Sequence, residues 1–99
     1  MELKIKEEFK NLIRPLTEEE YNLLEENIKT NGCREPIVVL QDNTIIDGHN
    51  RYEICRKHSI EYKTFIQKGL ETEEDIKLWM LYNQISKRNY TNLINLLLQ

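Results

Sequence analysis

The residues able to do chemistry in this chain crowd into one stretch, Asp47-Gly48-His49-Asn50-Arg51-Tyr52. An apolar pair, Ile45-Ile46, precedes it, and Glu53-Ile54-Cys55-Arg56-Lys57-His58 follows with the composition of a helix. A strand that ends on Asp-Gly and turns straight into a helix predicts an anion site. Glycine lets a ligand come close to the backbone, and the first N–H groups of a helix point outward with a partial positive charge. Arg51 adds a permanent cation with a planar fork of donors on that first turn. His49 and Asn50 add neutral hydrogen-bonding groups. The competing reading is structural: Asp47 ends a strand and caps the helix, while Arg51 pairs with Glu35, Asp47 or Glu53.

The elements around this stretch must hold it in place. Residues 3–6 alternate and predict a short strand, followed by a helical turn through Phe9, Leu12 and Ile13 that stops before Pro15. Thr17-Glu18-Glu19-Glu20 is a capping-box pattern, with Leu16 and Tyr21 at the positions of a hydrophobic staple. Tyr21, Leu24 and Ile28 mark one face of the helix that follows, and Asn31-Gly32 supplies its stop. Pro36-Ile37-Val38-Val39-Leu40 is β-branched, apolar and too short for a helix, so it predicts a buried strand. Asp42-Asn43 turns it back into Thr44-Ile45-Ile46-Asp47.

Beyond the helix at about residues 48–58, residues 62–67 predict another strand. Thr72-Glu73-Glu74-Asp75 opens a helix through Ile76, Trp79, Met80 and Ile85. Tyr52 and Trp79 are expected to line the core. Strands and helices in this order predict an α/β or α+β domain, a small mixed sheet flanked by helices with a helical C-terminal extension. Leu93-Ile94-Asn95-Leu96-Leu97-Leu98-Gln99 is strongly apolar and stops in mid-pattern. That predicts packing on this domain, pairing with a second copy as a homodimer, or continuation into a further domain.

Ninety-nine residues, 39% hydrophobic and 31% charged, fit one domain with a modest core rather than a disordered chain. No apolar run approaches the roughly 20 residues of a membrane span, and no signal peptide opens the chain, so a cytoplasmic location is expected. The net charge of −3 is spread thinly. Lys and Arg number five against eight Asp and Glu in residues 1–31, six against five in 32–70, and three against four in 71–99. None of these segments is the basic stripe of a protein that grips DNA phosphates. Cys33 and Cys55 lack C-x-x-C spacing and make no zinc pattern with His49 and His58, so buried or half-buried thiols are expected.

Three blocks together resemble the ParB/sulfiredoxin superfamily, in particular ParB-like N-terminal domains: Glu35-Pro36-Ile37-Val38-Val39, the 47–52 stretch, and Asn83-Gln84-Ile85-Ser86-Lys87-Arg88-Asn89-Tyr90-Thr91. The resemblance runs from about residue 10 to residue 98. It implies that the middle block is a phosphate-binding turn for a nucleotide. Partition proteins carry Gly-Glu-Arg-Arg there and use CTP; sulfiredoxins carry Gly-Cys-His-Arg and use ATP. The shared glycine falls on Gly48 and the arginine on Arg51.

His49 occupies the position of the reactive cysteine, so sulfinic acid reduction has no nucleophile and is excluded. The third block resembles the Glu-Asn-Leu-Gln-Arg segment that helps hold magnesium and nucleotide. Asn83 and Gln84 replace the Glu and Asn, and Lys87 replaces the Arg. The lost carboxylate weakens a partition-type CTP switch, and Asp47 is the candidate replacement ligand for magnesium.

Two functions follow from the resemblance. One is a nucleotide-binding module, CTP or ATP with Mg²⁺, belonging to a DNA-binding partition or transcription-regulator-type protein whose DNA reader lies beyond Gln99. In it Gly48, His49, Asn50 and Arg51 hold phosphates, and Asn83, Lys87 and Arg88 close over the ligand. The other is a small phosphotransfer or phosphodiester-cleaving enzyme, the "ParB-like nuclease" reading. There Asp47 or Glu35 acts as base or metal ligand and His49 as acid–base or transition-state donor. One Asp and one His are few groups for two-metal cleavage.

Overall fold

The computed structural model describes residues 2–97, with side chains through Lys87; Arg88 and the leucine run of residues 93–99 lie outside the described side chains. The chain forms two compact units, Met1–Gly69 and Leu70–Gln99. The first holds α1 (Glu7–Lys10), α2 (Glu18–Asn31), β1 (Ile37–Val39), β2 (Ile45–Asp47), α3 (His49–Lys57) and β3 (Thr64–Ile66), and the second is the single helix α4 (Glu73–Leu97). This mixture of a small sheet and helices matches the expected fold class.

The sheet order is β2-β1-β3. β1 pairs antiparallel with β2, Val38 opposite Asp47 and Val39 opposite Ile45, so Ile46 is the extra residue of a bulge. β1 pairs parallel with β3, with Ile37, Val38 and Val39 opposite Thr64, Phe65 and Ile66. The expected strand at residues 3–6 contributes only an isolated bridge, Lys4 to Thr44. Its alternation carries one buried apolar residue, Leu3, too little to fix a ladder; Lys4 N–H bonds Asn43 O and Ile45 N–H bonds Lys4 O, and the chain then enters α1. The strand expected at residues 62–67 is three residues long, and all three are exposed, as befits an edge.

Burial follows the pattern of the residues. Leu3, Ile37, Val39, Ile45 and Tyr52 form one core cluster, with Tyr62 against it. Tyr52 stands edge-on to Tyr62 at 5.5 Å, and its hydroxyl accepts hydrogen bonds from Leu3 N–H and Arg56 Nη1. It is therefore the core residue its position suggested, and α3 lies against β1 through it. Ile28, Ile54 and Cys55 form a second cluster between α2 and α3, joined by Tyr21, Leu24 and Cys33.

The capping box of α2 is complete: Glu20 N–H donates to Thr17 Oγ1 and Thr17 N–H to Glu20 Oε1. Polar ties finish the α2–α3 seam. Tyr21 donates to Glu53 at 2.8 Å, and Glu25 Oε2 meets both Lys57 Nζ at 2.9 Å and His58 Nε2 at 2.8 Å. Glu53 is thereby engaged away from Arg51. In the second unit Thr72 and Asp75 cap each other's N–H groups at the start of α4. Trp79 is half-buried there, while Leu78, Leu81, Tyr82 and Ile85 are exposed at helical spacing. Among the described residues no helix is long and apolar enough to cross a membrane.

Candidate phosphate-binding turn

β2 delivers Asp47 to the end of the sheet, and the chain reverses into α3 within one residue. That residue is Gly48, with φ 102° and ψ 26°. A left-handed conformation of this kind is strained for any residue with a Cβ. Space for one is tight as well. A Cβ at Gly48 would lie 2.9 Å from Arg51 Nη2, 3.3 Å from Arg51 Nε and 3.3 Å from Ile37 Cγ1. The glycine is thus the floor on which the arginine rests.

Arg51 is held from three directions. Its Nη2 donates to Pro36 O at 3.0 Å and to Asp47 Oδ2 at 3.3 Å, and its Nη1 donates to Glu35 Oε2 at 3.2 Å. The Arg51 side chain is 14% exposed and that of Asp47 9%, whereas Glu35 is 70% exposed. The Asp47 contact is part-buried, whereas the Pro36 and Glu35 contacts are exposed, and the Glu35 pair is screened by water and weak. Arg51 Nε is buried without a hydrogen-bond partner. Of its two carboxylate partners, Glu35 is by far the more exposed.

The start of α3 has no side-chain cap, because its N-cap is glycine. The first backbone bond of the helix runs from Tyr52 N–H to Gly48 O at 2.9 Å. The N–H groups of His49, Asn50 and Arg51 precede it and lie outside the helical ladder. His49 is half-buried, and its Nε2 is fully enclosed without a partner. Burial, helped by the charge of Lys10, lowers its pKa, while Asp47 and Glu7 pull it the other way. A neutral imidazole with Nε2 enclosed is positioned as a packing group, not as a proton shuttle to solvent. Lys10 itself is a cation near the turn that sequence reasoning overlooked; α1 brings it there, and nothing in the local sequence around residue 47 signals it.

Asp47, Gly48, His49, Asn50 and Arg51 are thus brought together in the first unit. Asn83 and Lys87 are half-buried on α4 in the second unit, and the side chain of Arg88 lies outside the described residues. As a magnesium site the turn fits poorly. Its two carboxylates, Asp47 and Glu35, each give an oxygen to Arg51, and among the described residues no group of three His, Cys, Asp or Glu could hold a metal.

No family model and no curated protein matches the chain. Among solved structures, the C2221 form of a Pnob8-like ParB-N domain is similar, with a TM-score of 0.55, 20% identity and 67% of this chain covered. The fold is ParB-N-like. At this identity the likeness concerns backbone architecture, and the chain spans only 27% of the length of that solved chain. The ParB-N-like fold is the one that the blocks at residues 35–39, 47–52 and 83–91 implied.

Two outcomes test the geometry. Gly48→Ala is expected to cost roughly 1–3 kcal/mol of stability from strain and from displacing Arg51. Gly69→Ala, also at positive φ but with nothing within 4 Å of a Cβ, should cost less. Equal denaturant midpoints for the two variants would contradict this account of Gly48. For His49 the folded pKa lies below its ordinary 6.5. Its contribution to stability is therefore complete above about pH 6.5 and is lost as pH falls through the lower folded value. Thermal midpoints between about pH 7.5 and 5.5 should fall in the native protein and fall less in His49→Gln; parallel curves would remove the burial argument.

Proposed function

We propose that the turn at residues 47–51 binds the phosphates of a nucleotide, in a ParB-like domain of a partition or transcription-regulator-type protein that reads DNA through a region outside residues 1–99. The observation that carries this reading is the uncapped start of α3 directly after left-handed Gly48, with the Arg51 guanidinium laid over that glycine. A helix start with free N–H groups and a fixed cation stabilises an anion by hydrogen bonding and charge together. Pro36 O and Asp47 orient the guanidinium, and the solvent-screened Glu35 contact is the one a polyanion displaces. Lys10 adds positive charge from α1. A magnesium ion in such a complex would be held mainly by the phosphates, as this ion usually is.

Further support comes from the second unit. Leu78, Leu81, Tyr82 and Ile85 expose an apolar stripe at i, i+3, i+4 and i+7 along α4, the spacing of a helix–helix seam. In this reading the stripe is where two copies meet. Sedimentation of the chain should show a monomer–dimer equilibrium that Leu81→Glu shifts to monomer. A pure monomer over a wide concentration range would reject self-association.

The nucleotide reading is tested by titrating the protein with ATP, CTP and GTP, with and without magnesium. At least one should bind, and Arg51→Ala should weaken it more than tenfold, a loss of roughly 1.5–3 kcal/mol. Because Arg51→Ala also leaves Asp47 without its cation, Glu35→Gln is the more informative variant. It should bind the same nucleotide more tightly, since the competing carboxylate is gone. Absence of binding at millimolar nucleotide in folded protein, or no gain in Glu35→Gln, would overturn the proposal.

A further inference from the structure

The two thiols are 22 positions apart in sequence but neighbours in the first unit. Cys33 follows Gly32, the left-handed residue that stops α2, and packs on the cluster of Ile28, Ile54 and Cys55 between α2 and α3. The two side chains are close enough to hydrogen-bond, and Cys33 also donates from Sγ to Glu35 O at 3.5 Å. Cys55 is buried, and its thiol is pushed up to about 12 by burial first and by Cys33 second. Cys33 is half-buried and lines a cleft of about 460 Å³ with Gly32, Arg34, Tyr62 and Lys63 among its walls. One thiol is therefore reachable, the other is buried beside it, and two cationic residues, Arg34 and Lys63, line the cleft.

From this arrangement we infer that Cys33 and Cys55 form a two-electron oxidation site that takes a small anionic disulfide. The Cys33 thiolate attacks one sulfur of the disulfide RS–SR, forming a Cys33–SR mixed disulfide and expelling RS⁻, which takes up the proton lost by Cys33. Cys55 gives up its proton and attacks the Cys33 sulfur, expelling the second RS⁻ with that proton. The protein dithiol is oxidised to one Cys33–Cys55 disulfide, and RS–SR is reduced to two RSH. Entry through Cys33 follows from its access to the cleft, and an anionic reagent is favoured by Arg34 and Lys63 over the single acid there, Glu61. The bridge would join the segment leading into β1 to the last turn of α3, one turn beyond Arg51.

The test is incubation of the folded full chain with oxidised glutathione, followed by free-thiol titration, intact mass and peptide mapping under non-reducing conditions. The expected product is a monomer that has lost both free thiols and the mass of two hydrogens, with Cys33 and Cys55 in one linked peptide. Its thermal midpoint should rise by at least about 5 °C and return on reduction, because the cross-link restricts the unfolded chain. Cys55→Ser should stop at a glutathione adduct on Cys33, and Cys33→Ser should take up none. Two thiols that stay free in the native protein, a product linked only between chains, or an adduct confined to Cys55 would each overturn the inference.

Discussion

The arrangement of the first unit turns on one half-buried cation. Arg51 lies on α3 but takes its partners from three other places: the end of β2 through Asp47, the backbone before β1 through Pro36, and the loop through Glu35. A guanidinium can do this because its donors diverge in a plane, which an ammonium cannot match. Removing it would take a charge partner from Asp47, itself largely shielded from water, a costly change for such a pair. The left-handed glycine, the bulged strand and the helix start are all consistent with keeping this one group in place.

That constraint also shapes the chemistry open to the turn. Asp47 is the carboxylate nearest the helix start, but it is committed to holding the arginine rather than free to act as a base. His49 faces inward at Nε2. Beside them the turn holds the backbone N–H groups that open α3 and the guanidinium of Arg51. The ParB-N-like architecture supplies this strand–turn–helix on a three-stranded sheet.

Much of this was legible in the residues themselves. The capping box at Thr17, the β-branched run before Leu40, the Asp-Gly turn and the core position of Tyr52 all follow from local chemistry, because the needed partners are a few positions away or the burial is strongly patterned. What was not legible depends on distance in sequence. Residues 3–6 alternate like a strand, yet a single bridge is all they make, since pairing is decided by the neighbour and not by the alternation. Lys10 near His49, Pro36 O beneath Arg51, and Cys33 beside Cys55 are encounters created by the fold. Pairing with Glu35 or Asp47 and serving an anion are alternatives for Arg51 in the sequence, and it is the pairing that the structure shows.

The helix α3 is short enough to act as a mechanical lever. Nine residues at 1.5 Å each make a rod of about 13 Å, with Arg51 near one end, Cys55 beyond its middle, and His58, tied to Glu25, just past the other. Pivoting such a rod by about 5° at its far end moves the first turn by roughly 1 Å. That is the margin between a hydrogen bond of 3.0–3.3 Å and none. A tilt of α3 of that size, from a changed contact at the α2 seam or a bond at Cys55, would be enough to alter the hydrogen bonds of the guanidinium.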